Sequence, residues 1–144
     1  MRETAVHHTP FCTRLHLEKD IAGAQPQVLL VAPMSGHFAT LLRGTAQTIL
    51  ADHDVYISDW RNARDIGLRH GEFGFDEFID HVTTFLQVLG PGVHVVGVCQ
   101  PCVAVLAAVA IMAEDCGPTQ PLHQTRSRAT PEPGVKGKTR PHAG

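Results

Sequence analysis

Cysteines stand at positions 12, 99, 102 and 116. Two of them lie in the run Gly97-Val98-Cys99-Gln100-Pro101-Cys102, which begins where an apolar strand pattern ends and leads at once into a long apolar helix pattern. A thiol on such a corner stands above the sheet edge, with its side chain at the mouth of a site and its backbone at a helix N-terminus. Unpaired N–H groups and the positive end of the helix dipole there favour negative charge on sulfur. The same N–H groups point at the place where an oxyanion develops in acyl transfer. The run has the layout of the nucleophile elbow G-x-S-x-G, with Cys99 in the Ser place and Pro101 in place of the last Gly. Gly97 leaves room for a tight turn. Pro101 suits the first helical turn, where a missing N–H costs nothing.

Acyl transfer needs a second oxyanion donor, from the loop after an earlier strand. Met34-Ser35-Gly36-His37 follows a buried strand pattern and opens a helix pattern. The backbone N–H of Met34 or Ser35 is therefore expected to act with that of Gln100, while the side chains of Ser35 and His37 serve first as turn residues. Asp59 and Trp60 end another strand pattern and, with His37, are the residues expected to line the site; packing is the competing role for Trp60. Cys102, one turn into an apolar helix, is expected in the core. C-Q-P-C also fits a thioredoxin-like C-x-x-C redox motif, though without the aromatic that often precedes it. A zinc half-site is disfavoured because neither a second C-x-x-C nor an H-x₃-H is present, and no metal or cofactor is expected.

Elements to hold these residues are legible. Cys12–Glu18 alternates polar and apolar residues and is expected as a strand at the edge of the sheet. Residues 27–33 form a short continuous apolar run, the mark of a strand buried on both faces of a parallel sheet. A helix pattern over 38–52 follows, weakened by Gly44. A strand follows over 53–60, then a long loop. Residues 75–89 place Phe75, Phe78, Ile79, Val82, Phe85, Leu86 and Leu89 on one stripe, and Gly90 ends the helix. Residues 93–98 are expected as a third buried strand. The helix from Pro101 to Glu114 is apolar nearly all round and is expected to be covered on most sides. The order strand, strand, helix, strand, helix, strand, helix predicts an α/β fold, a parallel sheet with helices on both faces and right-handed crossovers. Ligands in such sheets bind at the carboxyl ends of the strands.

Here the sequence resembles a family. VLLVAPMSGHFATLLRGT, HDVYISDWRNARD, GFDEFIDH and GPGVHVVGVCQPCVAVLAAVAIMAED occur in order and are similar to the N-terminal half of the catalytic domain of intracellular poly(3-hydroxybutyrate) depolymerases. The resemblance spans about Pro10 to Asp115. It implies a partial α/β-hydrolase fold, hydrolysis of polyhydroxyalkanoate esters through an acyl-enzyme, and Cys99 as the nucleophile of a Cys–Asp–His triad. It also implies a polymer or granule surface as partner and a cytoplasmic location. Polyhydroxyalkanoate synthases share a Cys elbow, but theirs ends in Gly where this one has Pro101. The family's triad Asp and His lie after further strands, and the match ends abruptly at Asp115. The chain is therefore expected to be a truncated or frameshifted fragment, inactive or nearly so, and of marginal stability with an apolar sheet edge open to aggregation. A granule-associated remnant without catalysis is the alternative outside enzymology.

Composition fits these expectations. The chain has 144 residues, enough for one domain of residues 12–116 with an N-terminal arm of residues 1–11. Apolar residues make up 43% and charged residues 18%, as in globular proteins. The scattered cysteines do not form a secreted disulfide framework, so a reducing compartment is expected. Met1–Pro10 holds charges and histidines rather than the apolar core of a signal peptide. The longest apolar run, Val103–Ala113, is too short to span a bilayer. Residues 1–116 carry seven Lys/Arg against thirteen Asp/Glu; residues 117–144 carry five against Glu132 alone. That basic segment, rich in Pro and Gly, is expected to be disordered. Lacking aromatic residues to stack on bases, it implies no nucleic-acid partner. The oligomeric state is not legible.

Overall fold

Strand β3 (Gln27–Val31) places Val28, Leu29, Leu30 and Val31 in the interior with no alternation, so both faces of the sheet are covered at this strand. The structure is a computed structural model and describes residues 2–20, 23–34 and 41–115. Around β3 it builds five strands, β1 (Arg2–His8), β2 (Cys12–Glu18), β3, β4 (Asp54–Trp60) and β5 (His94–Gly97), in the order β1-β2-β4-β3-β5. Three α-helices accompany them: α1 (Arg43–Leu50), α2 (Phe75–Leu89) and α3 (Pro101–Asp115). The element types follow the expected α/β pattern. Residues 38–40 of the first expected helix and the whole basic segment lie outside the described residues.

The expected all-parallel sheet is corrected to a mixed one. β3 pairs in parallel with β4 and with β5, whereas β2 is antiparallel to both β1 and β4. β2 is also not an edge. Residues 2–8, expected as an arm, form β1 and cover its outer side. A turn joins the two strands: Thr9 Oγ1 accepts from the N–H of Cys12 at 2.9 Å and of Phe11 at 3.3 Å, and Thr9 N–H donates to Cys12 C=O at 2.8 Å. β1 escaped the sequence because Val6 is its one large aliphatic, and that residue is itself exposed.

α2 follows the predicted stripe closely. Phe78, Ile79, Val82, Phe85 and Leu86 are buried in the core. Its start is set by Glu77, whose carboxylate accepts the Gly74 N–H at 2.7 Å; that bond holds the carboxyl below its usual range. Phe75, included in the stripe, is instead exposed. It is the first residue of the helix, and the buried stripe begins at Phe78.

α3 departs furthest from expectation. Only Pro101, Ala104 and Ala108 are buried, while Val103 and Leu106 are 65% and 72% exposed and Val109 and Ile111 also face outward. It packs against α2 and β5, and among the described residues nothing covers its outer side. β5 shares this position: it ends the sheet among the described residues and is half-buried rather than enclosed. An apolar helix face beside an open strand edge promotes self-association. Leu106→Lys is expected to change stability by less than about 0.5 kcal/mol, since the side chain is already in water. Light scattering at matched concentration should show less aggregate; a large fall in unfolding midpoint would instead mean that Leu106 is buried.

Candidate functional site

At the end of β5 the backbone turns at Cys99, the one non-glycine residue among those described with positive φ, at +67°. Left-handed backbone is costly for a residue with a Cβ, by about 1–2 kcal/mol, so the surroundings must impose it. Two contacts do so. Cys102 N–H donates to Cys99 C=O at 3.1 Å, closing the turn into α3. Gly97 lets the helix start press on the strand: a Cβ there would meet Cys102 N and Cα at 3.3 Å and Val105 Cγ2 at 3.2 Å. Pro101, buried, opens the helix. The thiol thus sits on a sharp, strained strand-to-helix corner, and its residue is exposed.

The loop after β3 reaches the same corner. Met34 N–H donates to Gln100 Oε1 at 3.2 Å. One of the two expected oxyanion donors is therefore engaged by a carbonyl oxygen from the residue after Cys99. Two β4 side chains fix the departure of that loop: Ala32 N–H donates to Ser58 Oγ at 2.9 Å, and Trp60 Nε1 donates to Ala32 C=O at 2.8 Å. Trp60 is buried and acts by this contact and by its ring. Ser58 went unmarked in the sequence because a serine within an apolar strand has no positional signature. Ser35 and His37 lie outside the described residues.

Asp59 is set on the other side of β4. It pairs in register with Thr13 of β2 and lies beside Cys12. Cys12 is fully buried; burial first, and then the Asp59 charge, push its thiol well above the usual range, so it is not a nucleophile. Cys102, expected in the core, is corrected to exposed, with its S–H donating to Gly97 C=O at 3.2 Å. It is the second residue of α3, at the helix start beside Gly97, where its side chain remains open to water.

A cavity of about 440 Å³ opens at the carboxyl ends of β3 and β4. Met34 and Trp60 are in its wall, together with Phe11, Ile66 and Phe73. Arg61 and Glu72 add the charged groups. Aromatic and aliphatic walls with a few polar groups suit a small ligand that carries both apolar carbon and polar oxygen. Phe11 and Phe73 belong to the turn before β2 and the loop before α2, and no sequence spacing links them; their rings meet only in the folded chain, 4.7 Å apart. His81 stands behind this cluster, its Nδ1 bonded to Glu77 C=O at 2.7 Å and its Nε2 to Thr9 Oγ1 at 3.1 Å, a structural position. His94 lies at the opposite end of β5 from Cys99, near His53. Among the described residues, no histidine hydrogen-bonds to Cys99 and no cluster of His, Cys, Asp or Glu could hold a metal ion. No helix among them is long and apolar enough to cross a membrane.

Neither the family models, nor the curated proteins, nor the solved structures yield a match to this chain.

Proposed function

We propose that Cys99 is the nucleophile of an acyl-transfer site, and that its chemistry is thiol-dependent hydrolysis of hydroxyalkanoate ester bonds. The observation that carries this reading is the left-handed thiol at a strand-to-helix turn, with the Met34 amide drawn to the very next residue. A strained nucleophile, the N–H of the residue after it and an N–H from the loop after an earlier strand are the parts an ester hydrolase of the elbow type combines. The resemblance to intracellular poly(3-hydroxybutyrate) depolymerases supports the substrate class, a polyester presented at a granule surface in the cytoplasm. The partial α/β-hydrolase fold belongs to the same reading.

In this mechanism Cys99, exposed, gives its thiol proton to water, and Sγ adds to the ester carbonyl. The oxyanion replaces Gln100 Oε1 as acceptor of the Met34 N–H and takes a second bond from the Gln100 N–H. The tetrahedral species expels the alcohol end of the polymer, whose oxygen takes a proton from water as it leaves, and a thioester remains on Cys99; water then releases the hydroxy acid. The neighbouring cavity takes the short aliphatic part of the acyl unit. Deacylation needs a base to activate water, and none contacts Cys99 among the described residues. Acylation is therefore expected to outrun turnover.

The test is a p-nitrophenyl ester of a short hydroxy acid, followed by intact mass and peptide mapping. A burst of about one equivalent of nitrophenol is expected, with the acyl group on Cys99. Cys99→Gly should abolish the burst and raise stability by about 1 kcal/mol, because glycine accepts the left-handed backbone that cysteine does not. A burst that survives in Cys99→Gly, or an acyl group carried mainly by Cys102, would sink the reading.

A further inference from the structure

We propose that Cys99 and Cys102 form a reversible intramolecular disulfide across the turn that leads into α3, by exchange with a low-molecular-weight disulfide such as oxidised glutathione. Both thiols are free and both are exposed. They bracket a single turn closed by the Cys102 N–H to Cys99 C=O bond of 3.1 Å. Such a turn holds its end Cα atoms within about 7 Å, which overlaps the span a disulfide bridges. Gly97 packs its backbone under the turn, so the spacing is held from below. Cys12 cannot take part, being sealed in the core.

The two sulfurs are in different situations, which orders the steps. Cys102 donates its S–H to Gly97 C=O, whereas the Cys99 thiol makes no such bond among the described residues. Cys99, as thiolate, attacks one sulfur of the small disulfide, forming a mixed disulfide and releasing one small thiolate. Cys102 then turns away from Gly97 C=O, gives its proton to solvent and attacks the Cys99 sulfur. That step releases the second small thiolate. Two electrons pass from the pair of cysteines to the small disulfide, and no other oxidant is needed. While the bond stands, Cys99 can neither attack an ester nor be oxidised further. Cys102 thereby acquires a role as the resolving partner of the corner thiol.

This inference rests on the geometry of the corner and not on ester hydrolysis. Its test uses the full chain with Cys116→Ser, so that Cys99 and Cys102 are the accessible thiols and Cys12 stays buried. After incubation with oxidised glutathione, iodoacetamide alkylation of Cys99 should fall about tenfold or more and return with dithiothreitol. Intact mass should show loss of two hydrogens and no glutathione adduct. With Cys102→Ser, or Cys102→Ala as a second variant, Cys99 should instead keep the glutathione. The inference is overturned if the parent also keeps the adduct, if both thiols stay alkylatable, or if either Cys102 variant still loses two hydrogens. A nitrophenyl burst without a disulfide would remove this inference and leave the acyl-transfer reading; a disulfide without a burst would do the reverse.

Discussion

Trp60→Ala is expected to lower stability by about 3–5 kcal/mol, the range for removing a large buried aromatic side chain. The indole is 6% exposed and packs edge-on to Phe78 at 4.6 Å. Its N–H also holds the Ala32 carbonyl at 2.8 Å. Truncation removes the packing, leaves a cavity and strips a carbonyl of its partner. Domains of this size are stable by only about 5–15 kcal/mol, so the variant should be partly unfolded under mild denaturant. Trp60→Phe separates the terms: it retains most ring contact but leaves the Ala32 carbonyl unpaired, at a cost of about 1–3 kcal/mol. Because Trp60 is the sole tryptophan, unfolding has to be followed by circular dichroism. A Trp60→Ala loss under about 1 kcal/mol would show that the ring is not enclosed.

The effect should reach the site. Ala32 lies two residues before Met34, and Trp60 with Ser58 ties both polar groups of Ala32 to β4. Freeing that residue loosens the loop that brings the Met34 N–H to Gln100. The burst with the nitrophenyl ester should therefore slow in Trp60→Phe even at temperatures where the variant is folded.

The second large effect concerns Gly97. Its φ is not positive, so any residue could adopt its backbone; the constraint is space. A Cβ would press on Cys102 backbone at 3.3 Å, and a helix start cannot move aside as a flexible side-chain tip can. Gly97→Val adds two methyl groups beyond that Cβ, and overpacking of this kind costs about 1–3 kcal/mol, with the upper end expected here. The helix start is the weaker side, since α3 is covered on one face only. The relief should push α3 away from β5 and open the turn at Cys99. Acylation and disulfide formation should both decline, whereas a substitution remote from the corner with the same loss of stability should spare them. Unchanged stability together with unchanged Cys99 reactivity would mean that strand and helix are not in close contact.

Legibility differed from one element to the next, for physical reasons. The helix over Phe75–Leu89 declared itself because five of its apolar residues repeat at the period of the helix and all five pack inward. The corner declared itself because Gly97 and Pro101 mark the end of a strand pattern and the start of a helix pattern on either side of Cys99. β1 gave no such sign: it binds through backbone pairing with β2 and contacts such as Thr4 Oγ1 to Glu18 at 2.7 Å, which any polar stretch could make. The cover on α3 was misjudged because apolar composition says what a helix would prefer to touch, not what is present to touch it. The bond from Met34 to Gln100 spans 66 positions and has no trace in either segment alone.

What the sequence determined by itself was the local elements from β2 onward, their order, and the glycine and proline that flank one turn, since periodicity and backbone preference act over a few neighbouring residues. What only the tertiary structure decided was that β2 runs antiparallel between β1 and β4, that Cys102 and the outer side of α3 face water, and that Phe11, Met34 and Phe73 share one cavity. Each of these is a relation between distant segments, decided by which surfaces are left to pack once the backbone hydrogen bonds of the sheet have been made.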